Sequence, residues 1–441
     1  MPVLRGGAFV FAYIFWRWRL SGVHQAGDFS SFDLHSPIED SSPNMLAMRI
    51  REAESVVTPG LSKVAAVVGV GHTDWRQDYA AVREGKVKYD SIGLGSLAFV
   101  RALEDAGLTR DDVDGLIVGP TTPYERMGEV LGIDAKWGGQ ADAMLGVIQA
   151  CMAIKSGLAE VVALVYGNNQ RSGKVNYGGS NAAGGASFLS YVYHAPWGFT
   201  SQGALYAMMF RRYMEETGLT SAELGEVAVA QRIGASLNPN ALMQQRITVE
   251  DYLASEFICE PLHIFDYCLI NDGGVALIIT SAERARKAAN PVMIHGVGRY
   301  DLNTGATSLE PRLTEYYLPA QQKVAEQVFN MAGVGPKDMD TLQVYDSFSC
   351  HIPLALEGYG YCPAGGAGKF LREEGVALGR RLPVNTSGGH LSESYMQGWA
   401  HQVEAVRQVR GICGERQVPD CRFVHYSSDV AGKAVSIIYG R

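Results

Sequence analysis

The feature that most constrains this chain is an internal duplication. Short apolar strands alternate with amphipathic helices from residue 63 onward, and the same β-α-β-α-β order returns from residue 291. Gly69 and Gly71 of the first strand match Gly296 and Gly298 at an offset of 227. A chain that alternates strands with helices is typical of an α/β protein. The repeat therefore predicts two similar halves, each built on a mostly parallel sheet.

Two further pairs of segments repeat at comparable spacing. Ala-Gly followed by Asp-x-Asp-x-Leu-x-Val occupies residues 106–118 and returns at residues 332–344. A glycine pair opens a helix at residues 138–139 and again at residues 388–389. Such glycines let a ligand or a facing helix approach the backbone closely. The first half also contains a long insert rich in Tyr, Met and Asn, residues 168–260, which we interpret as a lid over an apolar substrate.

The first 60 residues do not follow this pattern. Residues 6–16 are an apolar run, shorter than the roughly 20 residues that a membrane-spanning helix needs. A secretory signal is one interpretation, but no convincing cleavage site follows, and a non-native extension with the start near Met45 or Met48 is favoured. The predicted organisation is a disordered or non-native segment over residues 1–60 and two halves over 61–285 and 290–441. No later segment reaches transmembrane length.

Charge and cysteine usage exclude several classes of function. Lys and Arg number 38 against 46 Asp and Glu, which gives a net charge of −8, and no basic stripe is present. A nucleic-acid-binding protein is therefore not expected. The seven cysteines contain no Cys-x-x-Cys pair, so neither a zinc ribbon nor a thioredoxin-type motif is available. Reduced thiols in a cytoplasmic protein are the simpler interpretation.

Several segments resemble the thiolase superfamily, in the branch of the sterol-carrier-protein thiolases. They are IKSGLAEVVALVYG, PLHIFDYCLINDGGVALIITSAERARK, YDSFSCHIPLALEGYGYCPAGGAG and NTSGGHLSESYMQGWAHQVEAVRQVRG. The resemblance covers residues 63–441. It implies an α/β thiolase fold with duplicated βαβαβ halves, mixed five-stranded sheets in layers, and a lid or loop domain inserted in the first half.

The sequence departs from the family at the catalytic positions. A thiolase carries a nucleophilic cysteine at the start of the helix after the first glycine pair, where this chain has residues 140–143, Gln-Ala-Asp-Ala. Cys151 lies about three turns further along and is interpreted as a small buried hydrophobic residue. Tyr345 replaces the Asn or His of an oxyanion hole, and Tyr395 replaces the histidine of Gly-His-Pro. The second catalytic cysteine is also missing from the last loop, residues 426–429.

Two phenols in one pocket suit retro-aldol cleavage better than Claisen chemistry. A Claisen reaction must hold an acyl fragment covalently, which requires the cysteine. Retro-aldol cleavage of a β-hydroxyacyl-CoA needs a base, an acid and stabilisation of an enolate, with no covalent intermediate. Tyr345 and Tyr395 are therefore the predicted catalytic residues. Possible supporting residues are Asp346, His351, Asn385, Gly388, Gly389, His390 and Asp429, and no metal ligand is predicted.

A cysteine-less thiolase with tyrosine at both positions resembles the steroid side-chain-cleaving aldolases. The resemblance implies a steroid side-chain CoA thioester, in which a 17-hydroxy steroid gives a 17-ketosteroid and propionyl-CoA. It implies no cofactor, because CoA is part of the substrate. It also implies a homodimer core bound to an OB-fold and zinc-ribbon partner of the DUF35 type, as an α2β2 heterotetramer in the cytoplasm.

Two alternatives from other classes remain open on the sequence. The first is an acyltransferase or thioesterase with Ser427 or Ser428 as nucleophile, although no histidine at a triad-like position is recognised in the sequence. The second is an inactive thiolase homologue that acts as a binding subunit.

Overall fold

The computed structural model describes residues 60–120, 122–175, 197, 199, 201–301, 318–430 and 433–441. The expectations for residues 1–59 lie outside the described residues, and so does part of the insert. No helix of the described part is long and apolar enough to cross a membrane.

Strands and helices alternate along the described chain. The strands are β1 (Ala65–His72), β2 (Gly115–Val118), β3 (Trp137–Gln140), β4 (Val161–Asn169), β5 (Phe257–Cys259), β6 (Leu262–His263), β7 (Asp272–Ser281), β8 (Val292–Asp301), β9 (Thr341–Val344), β10 (Phe423–Val430) and β11 (Lys433–Gly440). The helices are α1 (Trp75–Arg83), α2 (Ser91–Ala106), α3 (Tyr124–Leu131), α4 (Ala143–Lys155), α5 (Gln202–Thr217), α6 (Ser221–Ser236), α7 (Val249–Leu253), α8 (Ala282–Ala285), α9 (Leu318–Ala332), α10 (His351–Gly358), α11 (Ala367–Glu373), α12 (Gly389–Ser392) and α13 (Trp399–Arg410).

The main sheet contains the strands of both halves, and the strand order of the first half is repeated in reverse in the second. Its strand order is β3-β2-β4-β7-β1-β8-β11-β10-β9. β7 runs antiparallel between β4 and β1, and β11 runs antiparallel between β10 and β8. β2 and β4 are parallel neighbours, as β9 and β10 are. In the second half, a parallel bridge between Leu342 and Val384 stands where β3 lies in the first. The duplicated topology is therefore present in the structure.

The mostly parallel sheets expected from the sequence are present, with one opposed strand in each half, β7 in the first and β11 in the second. Asn169 at the end of β4 pairs with Asp272 at the start of β7, so the insert leaves and re-enters at the same edge of the sheet. The chain must then run antiparallel to β4. Val430 and Lys433 likewise join β10 to β11 at one edge. Each half is a mixed sheet for this reason.

The helices separate the two half-sheets into layers. α4 and α13 both contact strands of both halves, since α4 packs on β4 and β11 and α13 packs on β10 and β1. Almost every residue of α13 is buried. α2 covers β1, β4 and β7, whereas α9 covers β8 and β11. The described chain therefore forms five layers, with α4 and α13 in the middle and α2 and α9 outside, as the thiolase resemblance implied.

The repeated glycines lie where a helix crosses a strand. A Cβ on Gly69 would meet Ala102 O and lie 2.7 Å from the Ala106 Cβ. A Cβ on Gly296 would meet Val328 O and lie 3.1 Å from the Ala332 Cβ. The two environments are equivalent, because α2 approaches β1 as α9 approaches β8. Both halves have glycine at this position because the helix backbone lies too close to the strand for a side chain.

The insert supports the second half through α6. This helix packs against α11 and α12. A Cβ on Gly234 would lie 2.5 Å from Thr386 O, and a Cβ on Gly388 would lie 2.7 Å from the Ala235 Cβ. The backbone of residues 386–388 is therefore held against α6, directly before the short helix α12.

We predict that Gly69→Ala and Gly296→Ala each lower the free energy of unfolding by about 1–3 kcal/mol, because the added methyl overpacks a helix–strand contact. Gly139→Ala is the matched control, since a Cβ there has no atom within 4 Å. It should change stability by less than about 0.5 kcal/mol. Urea unfolding of the three variants measures the difference, and a neutral Gly69→Ala would contradict the packing.

Candidate active site

The candidate site begins at the carboxyl ends of β9 and β10. The backbone N–H of Tyr345 donates to Ser427 O at 2.8 Å, which fixes the first residue of the loop after β9. Tyr345 is 4% exposed, and the next residue, Asp346, is fully buried. Gly398, at φ +81, packs against this ring, because a Cβ there would lie 3.0 Å from Tyr345 Cδ2. Carboxyl ends of parallel strands are where α/β proteins bind their ligands.

Tyr395 is held in the loop between α12 and α13 by two asparagines of the first half. Its backbone N–H donates to Asn271 Oδ1 at 2.7 Å, and Asn168 Nδ2 donates to Tyr395 O at 3.1 Å. Both asparagines are buried. The position of Tyr395 therefore depends on the ends of β4 and β7 as well as on its own loop.

The structure brings the two predicted catalytic tyrosines into contact. Tyr345 Oη lies 2.9 Å from Tyr395 Oη, and their rings are nearly perpendicular at 82°. Burial raises the pKa of Tyr345 well above its usual range, against a smaller opposing effect of the hydrogen bond with Tyr395. Tyr345 is therefore protonated at neutral pH. Its hydroxyl can donate to Tyr395 Oη, and such a bond favours the ionised form of Tyr395.

Asp346 connects three chain segments beside the tyrosines. Its Oδ1 accepts from the backbone N–H of His390 at 2.9 Å and from His401 Nε2 at 2.8 Å. The carboxyl group also lies against Gly389, whose φ is +58. A side chain at that position would collide with Asp346 Oδ2. Asp346 thus ties the loop after β9 to α12 and α13.

His390 is a neutral ring that packs against the rings of both tyrosines. Gly398 N–H donates to His390 Nε2 at 2.9 Å, so the ring carries its proton on Nδ1. Burial, with the neighbouring His401 and His351, lowers the pKa of His390 well below its usual range. Its ring centroid lies 4.6 Å from that of Tyr345 and 4.8 Å from that of Tyr395. His390 therefore contacts both tyrosine rings without adding a charge beside them.

Asn385 and Gly388 shape the backbone of the same loop. Asn385 has φ +51, and its amide bonds both backbone groups of Val344, accepting at 2.7 Å and donating at 3.0 Å. Gly388 has φ +109, which residues with a side chain rarely adopt. These two residues set the path of the chain into α12, and no hydrogen bond joins them to either tyrosine hydroxyl among the described residues.

His351 and Asp429 lie in a different cluster from the tyrosines. Asp429 is on the face of β10 that packs against α9 and α10, opposite the face of Tyr426 and α13. His351 Nδ1 lies 2.9 Å from Asp429 Oδ1, and His351 Nε2 lies 2.9 Å from Ser347 Oγ. The structure therefore separates these two supporting candidates from Tyr345 and Tyr395.

The sequence reasoning missed His401 and Ser347. His401 is 55 residues from Asp346, and nothing in its local sequence marks it. Ser347 lies four residues before His351, and His351 is the first residue of α10. This serine–histidine spacing is a signal in the sequence that could have been used. Asp346, His390 and His401 also offer ligand atoms within 4.8 Å of one another, enough to consider a metal. The His390 and His401 Nε2 atoms, however, are already used in hydrogen bonds within the cluster.

Comparison with known proteins identifies the family of this chain. The model of the thiolase C-terminal domain-like family matches residues 303–441. A steroid side-chain-cleaving aldolase of Thermomonospora curvata is 36% identical over 375 residues, which cover 80% of this chain and 92% of that protein. The 17-hydroxy-3-oxo-4-pregnene-20-carboxyl-CoA lyase of Mycobacterium tuberculosis is 35% identical over 376 residues, 80% of this chain and 92% of that protein.

This chain belongs to the steroid side-chain-cleaving aldolases of the thiolase superfamily. Among solved structures, the Ltp2-ChsH2(DUF35) aldolase superposes with a TM-score of 0.76 at 33% identity, covering 86% of this chain and 98% of that one. Human mitochondrial 3-ketoacyl-CoA thiolase shares the fold alone. It superposes with a TM-score of 0.62 at 14% identity, covering 86% of this chain and 98% of that one. The family and the fold class expected from the sequence are confirmed.

Within this thiolase fold, no described cysteine occupies a nucleophile position. The residue that caps the start of α4 is Asp142, whose side chain accepts from Leu145 N–H at 2.9 Å. Cys151 is fully buried in the core, and burial raises the pKa of its thiol to about 12. A thiol of that pKa is not a nucleophile at neutral pH.

A buried glutamic acid supports the loop of this aldolase-family site. Glu393 lies two residues before Tyr395. It accepts hydrogen bonds from Asn238 Nδ2 at 2.8 Å and from Ser387 Oγ at 2.6 Å. Burial, with the nearby Glu404 carboxylate, raises the pKa of Glu393 from 4.5 to about 8. Its protonated form therefore stabilises the folded chain fully below pH 4.5, and this contribution is lost as pH rises towards about 8.

We predict that Glu393→Gln removes this loss. Gln keeps the acceptor for Asn238 and cannot ionise, so the stability of the variant relative to the parent should increase with pH, by at most about 1.4 kcal/mol per pH unit. Urea unfolding at several pH values between about 5 and 8 measures the difference. A stability difference that is independent of pH would contradict a protonated Glu393.

Proposed function

We propose that this chain catalyses retro-aldol cleavage of a β-hydroxyacyl-CoA that carries a steroid nucleus. The substrate would be a 17-hydroxy steroid with a short acyl-CoA side chain, and the products a 17-ketosteroid and propionyl-CoA. Two relatives named as a steroid side-chain-cleaving aldolase and a pregnene-carboxyl-CoA lyase support this substrate class. The contact of 2.9 Å between Tyr345 Oη and Tyr395 Oη carries the mechanism.

In the proposed reaction, Tyr395 is the base and Tyr345 is the acid. The Tyr345 hydroxyl donates to the Tyr395 phenolate, which takes the proton of the substrate β-hydroxyl. The electron pair of that O–H bond forms the ketone, and the Cα–Cβ bond breaks to leave a thioester enolate. Tyr345 then protonates Cα. Transfer of one proton from Tyr395 to Tyr345 restores both residues.

This assignment follows from the environments of the two rings. Tyr345 has a pKa raised well above its usual range by burial, so it is the residue that keeps a proton to give. Tyr395 is the more exposed of the two, at 9% against 4%. Neutral His390 adds no positive charge, so the hydrogen bond from Tyr345 is the interaction that we propose to stabilise the phenolate.

We propose that Asp346, His390 and His401 act as hydrogen-bonding groups that hold this pair. The Gly398 N–H bond leaves His390 Nε2 without a lone pair for a ligand, and His401 Nε2 already bonds Asp346. The proposed chemistry uses no cofactor, because CoA is part of the substrate. The enzyme is proposed to act in the cytoplasm as an acyl-CoA lyase.

We further propose an assembly with a partner protein. The similar Ltp2-ChsH2(DUF35) aldolase supports a DUF35-type partner with an OB fold and a zinc ribbon, which would complete the acyl-CoA site. β3, Trp137–Gln140, is an edge strand of the main sheet, and no strand of the described residues pairs with its outer edge. Two copies joined there would give the core of an α2β2 heterotetramer.

We predict that Tyr345→Phe and Tyr395→Phe each lower kcat at least about 100-fold, with a much smaller change in KM, because each removes one proton-transfer group. The double variant should be only slightly slower than either single variant, since the two hydroxyls act as a unit. Ketone formation and propionyl-CoA formation are followed together. Tyr361→Phe is the matched control, because its hydroxyl bonds His425 rather than either tyrosine.

The two roles are separated by solvent deuterium. Tyr345→Phe should stop exchange of the α-proton of propionyl-CoA, because the group that moves this proton is removed. Tyr395→Phe should only slow the exchange, because Tyr345 is present but is held in its protonated form by burial. Turnover close to that of the parent in both variants would contradict the mechanism. The absence of C–C cleavage in the parent with its partner would instead favour the binding-subunit alternative.

The assembly is tested by co-expression with a DUF35-type protein, the kind of partner present in the similar Ltp2-ChsH2(DUF35) aldolase. Light scattering after size-exclusion chromatography should give the mass of two copies of each chain. Replacing Gly139 by Pro should halve this mass, because Pro cannot donate to a strand across the edge and a side chain at this position meets no atom of the same chain within 4 Å. An α1β1 mass for the parent would contradict the proposed dimer.

A further inference from the structure

A second chain of hydrogen-bonded side chains lies in the same loop region, and the retro-aldol mechanism does not use it. Ser347 Oγ lies 2.9 Å from His351 Nε2, and His351 Nδ1 lies 2.9 Å from Asp429 Oδ1. Gln321 Nε2 donates to the second oxygen of Asp429 at 2.9 Å. A serine, a histidine and a carboxylate in this order form the constellation of a nucleophilic serine.

The bond to Asp429 sets the direction of this chain. A carboxylate oxygen accepts, so His351 carries its proton on Nδ1. His351 Nε2 then carries a lone pair, which accepts a hydrogen bond from the Ser347 hydroxyl. Gln321 fixes the carboxyl group from the other side, since its amide donates to Asp429 Oδ2. This arrangement prepares the serine oxygen to lose its proton to the ring.

Exposure follows the order that such a site requires. Ser347 is 7% exposed, whereas His351 is 0% and Asp429 is 1% exposed. The rings of Tyr206 and Phe348 lie 4.6 Å and 6.2 Å from the His351 ring and shield it from water. Only the serine end of the chain can therefore meet a substrate from the described surface.

We infer that Ser347, His351 and Asp429 form a second catalytic site that hydrolyses acyl-CoA thioesters. Ser347 would be the nucleophile, His351 the general base and Asp429 the group that orients it. Ser347 is two residues after Tyr345 in one loop, which places it at the edge of the sheet where the acyl-CoA is proposed to bind. The inference rests on the proposed function for the class of substrate alone.

The reaction is an acyl transfer in two balanced steps. Ser347 Oγ attacks the thioester carbonyl, its proton passes to His351 Nε2, and the C–S bond breaks. The CoA thiolate leaves with that proton as the free thiol. Water then attacks the acyl-serine, gives its proton to His351, and releases the carboxylic acid as Ser347 regains its proton.

The structure also decides against the two serines considered from the sequence. Among the described residues, neither Ser427 nor Ser428 hydrogen-bonds a histidine side chain. Ser428 is on the face of β10 opposite Asp429, because successive strand residues alternate in direction. His351 has a triad-like position beside Ser347, a serine that the sequence reasoning did not consider as a nucleophile.

The test uses propionyl-CoA, which has no β-hydroxyl and cannot undergo retro-aldol cleavage. The full chain, with its partner where one is bound, should release free CoA at a saturable rate. Release should fall at least about tenfold in Ser347→Ala, because the nucleophile is removed. Ser428→Ala is the matched control and should retain the parent rate.

A second measurement does not depend on the variants. Mass spectrometry of the parent quenched during turnover should find one propionyl group on the peptide that contains Ser347. No CoA release above the buffer rate, an unchanged rate in Ser347→Ala, or a propionyl group on another residue would overturn the inference. Retro-aldol cleavage measured on the same samples reports on Tyr345 and Tyr395 separately, so the failure of one activity is distinguishable from the failure of the other.

Discussion

The buried carboxyl group of Asp346 is the interaction on which the candidate site depends. It accepts hydrogen bonds from α12 and from α13 while its own backbone continues from β9. It joins the loop with Tyr345 directly to the segment with His390. A buried carboxylate is costly unless its oxygens are satisfied, and here they are satisfied by groups from two helices. The arrangement therefore fixes the tyrosines relative to each other.

The chemistry of the site follows from burial more than from charge. Tyr345 keeps its proton because burial raises its pKa, and His390 stays neutral because burial lowers its pKa. The two enclosed hydroxyls lie 2.9 Å apart, which allows one phenol to stabilise the ionised form of the other.

The loop after β9 serves both faces of the sheet. Tyr345 packs on the side of α13, while Ser347 bonds His351 on the side of α9 and α10. Two residues of spacing are enough, because the chain turns out of the strand between them. The same short segment thus contributes to a pair of phenols and to a serine–histidine–aspartate chain. The fold places both at the carboxyl end of β9.

The sequence by itself determined the duplication, the family resemblance, the missing catalytic cysteines and the two tyrosines that replace the oxyanion-hole residues. These depend on local pattern: glycines such as Gly69 and Gly296 repeat because a helix backbone contacts them in both halves. Only the tertiary structure decided the strand directions, because the antiparallel course of β7 depends on where the insert re-enters. It alone brought His401 to Asp346 across 55 residues and Asp429 to His351 across 78. Hydrogen bonds between distant segments leave no periodicity in a sequence, since their geometry is set by how the layers pack.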